Sequence, residues 1–222
     1  MGDTHTLITL TDPRSPVSEA YRTLRTNLEF FSLDEPIRTL VVTSPGAEEG
    51  KSTVLANLAV TLAQGGKGVI LIDCDLRRPT QHTLFDLDNA TGLTTMMLDE
   101  AVKTDPPLRE TAVDSLRVLP SGPPPPNPAE LLGSRRMKDA VAALLDQADV
   151  LLFDAPPVLA VTDALVLAVQ TDGVLLVVKA GGTRREHVQQ AKERLERVNA
   201  RIVGAVLNNA PIDQTLQEYY TA

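Results

Sequence analysis

Residues 39 to 63, TLVVTSPGAEEGKSTVLANLAVTLA, set a run of β-branched and apolar residues before a glycine-containing loop, then Gly50-Lys51-Ser52-Thr53, then a helix-forming stretch. This strand–loop–helix order is the context a phosphate-binding loop requires. Glycines let the backbone curl until its N–H groups converge on phosphate oxygens, and the helix that follows adds its positive N-terminal end. In such a loop Lys51 reaches the β and γ phosphates and the Ser52 hydroxyl ligates Mg²⁺. The candidate phosphate contacts are therefore Gly46, Ala47, Glu48, Glu49, Gly50, Lys51, Ser52 and Thr53. Lys51 is expected to contact phosphate and to support no core packing. The GxxxxGK[ST] pattern would place its first glycine at position 45, where this chain has Pro45, with Gly46 one place late.

Other short apolar runs recur along the chain: Val69 to Ile72, Leu116 to Leu119, Val150 to Phe153, Val174 to Val178 and Ile202 to Leu207. Between them lie helix formers, notably Thr53 to Gln64, Arg135 to Leu145 and Arg184 to Val198. Strands alternating with crossover helices predict an α/β fold with three layers, a mostly parallel central sheet carrying helices on both faces. Aromatic residues make up only 3% and tryptophan is absent, so aliphatic side chains must build the core, as is common for such sheets. Four consecutive prolines within Ser121 to Pro128 forbid helix and central strand there. No linker divides the 222 residues, so one domain is expected over 1-222, with an amphipathic N-terminal helix and arm at 15-36 and a tyrosine-containing tail at 210-222. Ser15 is the expected cap of that helix and Pro16 its first residue.

Two further apolar runs end in carboxylates. VILIDCDLRRP, residues 69 to 79, closes on Asp73-x-Asp75-x-Arg77, and DVLLFDAPPV, residues 149 to 158, contains a strand ending at Asp154. Open α/β sheets place ligand chemistry at the C-terminal ends of their strands, so all three segments belong at one edge. A strand-end Asp is the usual partner of a nucleotide-bound Mg²⁺. Arg77 and Arg78 could add charge neutralisation. Cys74 reads as a small core residue, and a lone cysteine excludes an internal disulfide and any multi-cysteine metal site. A net charge of −8 disfavours nucleic-acid binding, and no apolar stretch approaches the ~20 residues of a membrane span, so a cytoplasmic location is expected.

With these residues in hand the chain resembles the bacterial tyrosine kinases, P-loop kinases of capsule and exopolysaccharide export systems that carry Walker A and deviant-Walker motifs. The markers are SEAYRTLRTNLEF, SPGAEEGKST, LIDCDLRRP, PPNPAELLGS and VLLFDAPPV, spread from about Ser15 to Asn209. The resemblance implies ATP- and Mg²⁺-dependent (auto)phosphorylation of tyrosine, with ADP as product. It implies that Asp73 deprotonates the tyrosine, that Asp75 and Asp154 position Mg²⁺ together with Ser52, and that Asn208 contacts adenine. Lys51, Asp73, Asp75 and Asp154 are then the catalytic set. Glu19, Arg22 and Arg25 correspond to a motif at the contact between subunits of a head-to-tail ring. The implied partners are a homo-oligomer, a membrane-embedded polysaccharide co-polymerase activator that recruits the kinase to the inner face of the membrane, and a cognate tyrosine phosphatase.

The family's tail carries a cluster of tyrosines, whereas this chain has three tyrosines in all and only Tyr219 and Tyr220 in its tail. These are the candidate phosphoacceptors. Either two suffice, or the chain is part of a longer protein, or the kinase acts on other substrates. Partition and site-selection ATPases share the expected fold and act as nucleotide-switched assembly proteins. Their loop carries an early lysine, in a KGGxGK pattern, and here no lysine precedes Lys51 in the loop. A nucleotide-binding regulator without kinase activity would show the same motifs.

Overall fold

The computed structural model describes residues 7–31, 36–98 and 106–211. Seven strands form one sheet in the order β3-β4-β2-β5-β1-β6-β7. Six of them, β1 (Thr39–Thr43), β2 (Val69–Asp73), β4 (Leu116–Leu119), β5 (Val150–Asp154), β6 (Gly173–Lys179) and β7 (Ile202–Asn208), carry the apolar runs, and β7 closes one edge. All neighbours pair in parallel except β3 (Arg109–Glu110), a two-residue strand antiparallel to β4 at the other edge that the sequence reading did not contain. Two residues offer too little periodicity to be read as a strand.

The apolar runs are continuous because the sheet is buried on both faces, and successive side chains go to opposite layers. Val41, Ile70, Ile72, Leu151, Phe153, Val174 and Leu176 join one core, while Leu40, Val42, Val69, Leu71, Leu152, Leu175 and Val177 join the other. The first core is covered by α5 (Leu93–Leu98), α6 (Pro128–Leu132), α7 (Arg135–Leu145), α8 (Asp163–Ala168) and α9 (Arg185–Arg197). The second is covered by α3 (Lys51–Gln64), whose residues Val54 to Ala63 are buried without interruption.

A helix apolar all round needs a second cover on its outer side. That cover is α2 (Pro16–Phe31), which turns Tyr21, Leu24 and Leu28 toward the same core. The expected cap holds: the Ser18 N–H donates to Ser15 Oγ at 3.2 Å and Pro16 opens the helix. The short α1 (Ile8–Thr11) is fastened to α3 through Asn57, whose Oδ1 accepts from Thr9 N and Thr9 Oγ1 at 3.1 and 2.9 Å. Among the described residues no helix is long and apolar enough to cross a membrane.

The topology decides where the site lies. From β1 the chain leaves through α3 toward β2 on one side, and from β5 it leaves through α8 toward β6 on the other. The C-terminal ends of β1 and β5, which are adjacent, therefore form the switch point at which such sheets bind ligands.

Candidate active site

Three strand ends meet there. Because β5 is inserted between β1 and β2, Asp154 pairs with Val42 on one side and with Asp73 on the other. The two carboxylates lie 81 positions apart in sequence and occupy neighbouring ends of one sheet edge. The loop after β1 reaches over this edge with Glu48 and Gly50 both in left-handed conformation, φ 59° and 84°. At Gly50 only glycine fits: a Cβ there would lie 2.2 Å from Asn208 Nδ2. This turn leads directly into α3, which begins at Lys51 and not at the expected Thr53. The first-turn N–H groups thereby converge on the loop, as an anion site requires.

Glu49 does not face this anion site. Its side chain turns inward, where Oε1 accepts from Gly46 N at 2.8 Å and Oε2 from Lys179 N at 3.3 Å. It braces the loop against the end of β6, and any phosphate contact of Glu49 falls to its backbone. Asn208, the last residue of β7, donates Nδ2–H to the Glu49 carbonyl at 2.9 Å, tying the far strand to the same loop. The late position of Gly46 is accommodated by Ser44, whose Oγ donates to the Gly46 carbonyl at 2.6 Å.

Lys51 is the centre of the cluster, and here the expectation that it supports no packing is overturned. It is buried, with 9% of its surface exposed, and its Nζ lies 3.0 Å from Asp75 Oδ2, 3.0 Å from Asp154 Oδ1 and 3.1 Å from Ser52 Oγ. Burial disfavours the ammonium, but the Asp154 and Asp75 carboxylates more than offset this, and its pKa ends up raised. Asp73 sits beside this cluster, fully buried. Burial and the Asp154 charge push its pKa up to about 8, against N–H donors from Gln81 and Thr80, each 2.9 Å from Oδ2, and the Lys51 charge. Cys74 is a buried core residue, as expected, and burial followed by the neighbouring carboxylates raises its thiol pKa.

The lysine ammonium thus stands among the three groups expected to hold Mg²⁺: Ser52, Asp75 and Asp154. All are hard oxygen donors that already surround a cation. Among the described residues no cluster of three His, Cys, Asp or Glu forms an all-protein metal cage. That suits Mg²⁺, which takes one or two carboxylates and completes its shell with water and phosphate oxygens. The donor set fits the ion.

The paired role expected of Arg77 and Arg78 divides. Arg77 makes a two-pronged contact with buried Asp163 at the start of α8, Nε to Oδ2 at 2.9 Å and Nη2 to Oδ1 at 3.1 Å, so its charge is committed away from a nucleotide. Arg78 lines the open cleft in front of Lys51, with Thr80, Thr83 and Leu84. Gln81, at the start of α4 (Gln81–Leu84), is the residue the sequence reading missed: it is completely buried against Ser52 and Asp154. Its position just beyond the Asp73 motif was the sole hint, because glutamine has no signature.

The remaining candidates lie elsewhere. Glu19 and Arg22 form an ion pair along α2, and Arg22 also donates to the Pro13 carbonyl. Arg25 donates to the Thr61 carbonyl at 2.9 Å, near the C-terminal end of α3. At 1.5 Å per residue that end is roughly 15–20 Å from the phosphate loop. Tyr219 and Tyr220 lie outside the described residues.

Residues 40–221 match the CobQ/CobB/MinD/ParA nucleotide binding domain family, so the chain is a nucleotide-binding protein of that class. It is 44% identical over 208 residues to the tyrosine-protein kinase YwqD of Bacillus subtilis (strain 168), covering 94% of this chain and 87% of that one. Among solved structures, the chimerical protein CapA2B2 is 39% identical with a TM-score of 0.88, covering 93% of this chain and 90% of that one. The kinase domain of the Escherichia coli tyrosine kinase ETK is 32% identical with a TM-score of 0.84, covering 93% and 82%. Within its class, the chain belongs to the bacterial tyrosine kinases, and the assembly-ATPase alternative gives way to phosphoryl transfer.

Proposed function

We propose that the cluster around Lys51 binds Mg²⁺·ATP and transfers the γ-phosphoryl group to a tyrosine hydroxyl, with Asp73 as the base. The observation that carries this reading is the Lys51 ammonium held by Asp75, Asp154 and Ser52 with Asp73 beside it. Mg²⁺, when bound, supplies charge neutralisation at the β and γ phosphates. Lys51 leaves the carboxylates and follows the phosphates, and Asp75, Asp154 and Ser52 are the residues that would hold the ion. The loop and first-turn N–H groups hold the phosphate oxygens, and Asn208 contacts adenine beside Gly50. Asp73 takes the tyrosine proton as the bond to phosphorus forms. A carboxyl near 8 lies closer to the phenol's ~10 than an ordinary carboxylate does, which makes it the better matched base.

The wider role rests on the family. It is autophosphorylation between subunits of a head-to-tail ring, with Tyr219 and Tyr220 as acceptors and Glu19, Arg22 and Arg25 at the contact. A membrane-embedded activator recruits the kinase to the cytoplasmic face, a phosphatase resets it, and the output is control of exopolysaccharide or capsule synthesis and export. The test is phosphotyrosine formation by purified protein with ATP and Mg²⁺, with and without an activator segment. Signal lost in Asp73→Asn, and lost from the chain itself in the Tyr219→Phe/Tyr220→Phe double variant, is expected. Absence of phosphotyrosine in every wild-type condition would overturn the transfer reaction, and an undiminished signal in the double variant would overturn the acceptor assignment.

A further inference from the structure

Gln81 is a fully buried polar side chain that none of the motifs predicts, and both hydrogen bonds of its amide go to residues of the site. Its Nε2 donates to Asp154 Oδ2 at 2.7 Å and to the Ser52 carbonyl at 3.1 Å. Both partners are pure acceptors, so chemistry fixes which end of the amide faces them. Its main-chain N–H donates to Asp73 Oδ2 at 2.9 Å. Its Oε1 is buried with no partner among the described residues. An apolar side chain of the same volume would avoid leaving that oxygen unsatisfied, so filling space is not what the amide contributes.

We propose that Gln81 is a positioning residue of the phosphoryl-transfer site, which locks the Asp154 carboxylate so that Oδ2 is held and Oδ1 alone is presented to the cleft. The consequence follows from the geometry. With Oδ2 held by the amide, Oδ1 is the oxygen left for a cation, and Lys51 Nζ sits 3.0 Å from it in this structure. The same amide grips the Ser52 carbonyl, so the Ser52 hydroxyl and the Asp154 carboxylate, which belong to different elements, keep a fixed relation. The backbone of the same residue steadies Asp73 at the neighbouring strand end. One residue thereby sets the mutual placement of the metal-holding oxygens and the base. The inference rests on the proposed Mg²⁺ site.

The experiment is equilibrium binding of a fluorescent ADP derivative, first in chelator and then across a Mg²⁺ titration, with wild type, Gln81→Met and Asp154→Asn. Gln81→Met keeps volume and the N–H to Asp73 and removes both amide donors. Binding in chelator should stay within about twofold of wild type, because loop N–H groups and Lys51 grip the phosphates. The Mg²⁺ concentration for half-saturation should rise about tenfold or more, the usual consequence of losing a partner that orients a metal ligand. Gln81→Met added to Asp154→Asn should cost far less than it does in wild type, since the glutamine acts chiefly through that carboxylate. If Gln81→Met does not fold, Gln81→Asn, one methylene too short to reach Asp154, serves in its place with the same expectation. A Mg²⁺ response within twofold of wild type, or a full additional loss in the Asp154→Asn background, would overturn the proposal alone. A wild type with no Mg²⁺ response would overturn the metal site and the proposal with it.

Discussion

Replacing Lys51 by methionine should do more than stop catalysis: it should destabilise the nucleotide-free protein. The ammonium is the cation between Asp75, 5% exposed, and Asp154, fully buried, at 3.0 Å from each. Methionine keeps the stem and leaves two adjacent buried carboxylates without it. Breaking a buried ion pair by removing one partner costs about 3–5 kcal/mol. The Gln81 amide still holds Asp154 Oδ2, which places the expected loss near the lower end, at about 3 kcal/mol. In a protein of this size each kcal/mol moves the melting temperature by roughly 2–4 °C, so a fall of about 6–12 °C is expected by circular dichroism at pH 7.5 without nucleotide. Adding Asp75→Asn to Lys51→Met should recover part of it, because one uncompensated charge is removed. A Lys51→Met protein melting within 2 °C of wild type would refute the argument that the lysine neutralises this cluster.

Asp73 gives a pH prediction whose sign can be worked out. Its carboxyl is raised from 3.8 to about 8 in the folded protein, so between those values the folded state holds a proton that the unfolded chain releases. Its contribution to stability is therefore full below about 4 and is lost as pH rises toward 8, at most about 1.4 kcal/mol per pH unit. Nucleotide-free wild type should lose more melting temperature between pH 5 and pH 8 than Asp73→Asn does, and equal slopes would refute the assignment. Phosphoryl transfer should rise toward pH 8 in wild type as the base loses its proton, and kcat/KM of Asp73→Asn should be low and flat. For the α2 stripe, sedimentation velocity should show Arg22→Ala failing to assemble, while Arg25→Ala should also melt a few degrees lower, since it loses the Thr61 contact. An unchanged oligomer in both would remove this stripe from the subunit contact.

The legible part of this molecule was its strand ends. The apolar runs of the inner strands are buried on both faces, so composition and length alone marked them, and the chemically important residues stood at or after their ends: Asp73 at the end of β2, Asp154 at the end of β5, and Lys51 where the loop after β1 enters α3. Sequence could not supply the order of the strands. That β5 lies between β1 and β2 is what puts Asp154 beside Asp73, and no local pattern encodes it. The residues misjudged or missed all depend on this long-range placement. The charge neutralisation expected of Arg77 is lost once α8 brings Asp163 under it, and the Arg25 contact with the Thr61 carbonyl arises only because α2 lies across the end of α3. Gln81 reads as an ordinary polar residue until it is enclosed between α3 and β5.

In the proposed reaction the electrostatics of the nucleotide-free cluster would require its cations to exchange places. Asp73, Asp75 and Asp154 share one ammonium, and with Asp73 protonated near neutral pH the remaining two carboxylates still outnumber it. A nucleotide would bring several more negative charges to the same loop and, by drawing Lys51 toward its phosphates, would take away the cation those carboxylates already have. Anionic groups this close in a buried site repel strongly unless a counter-charge arrives together with the ligand. In the proposed site Asp75, Asp154 and Ser52 would hold a divalent ion, whose charge would supply that counter-charge and favour the ionised form of Asp73. On the proposed reading, binding the substrate and preparing the base would be one event, with the Lys51 ammonium as the group that moves and the Gln81 amide as the group that keeps Asp154 in place while it does.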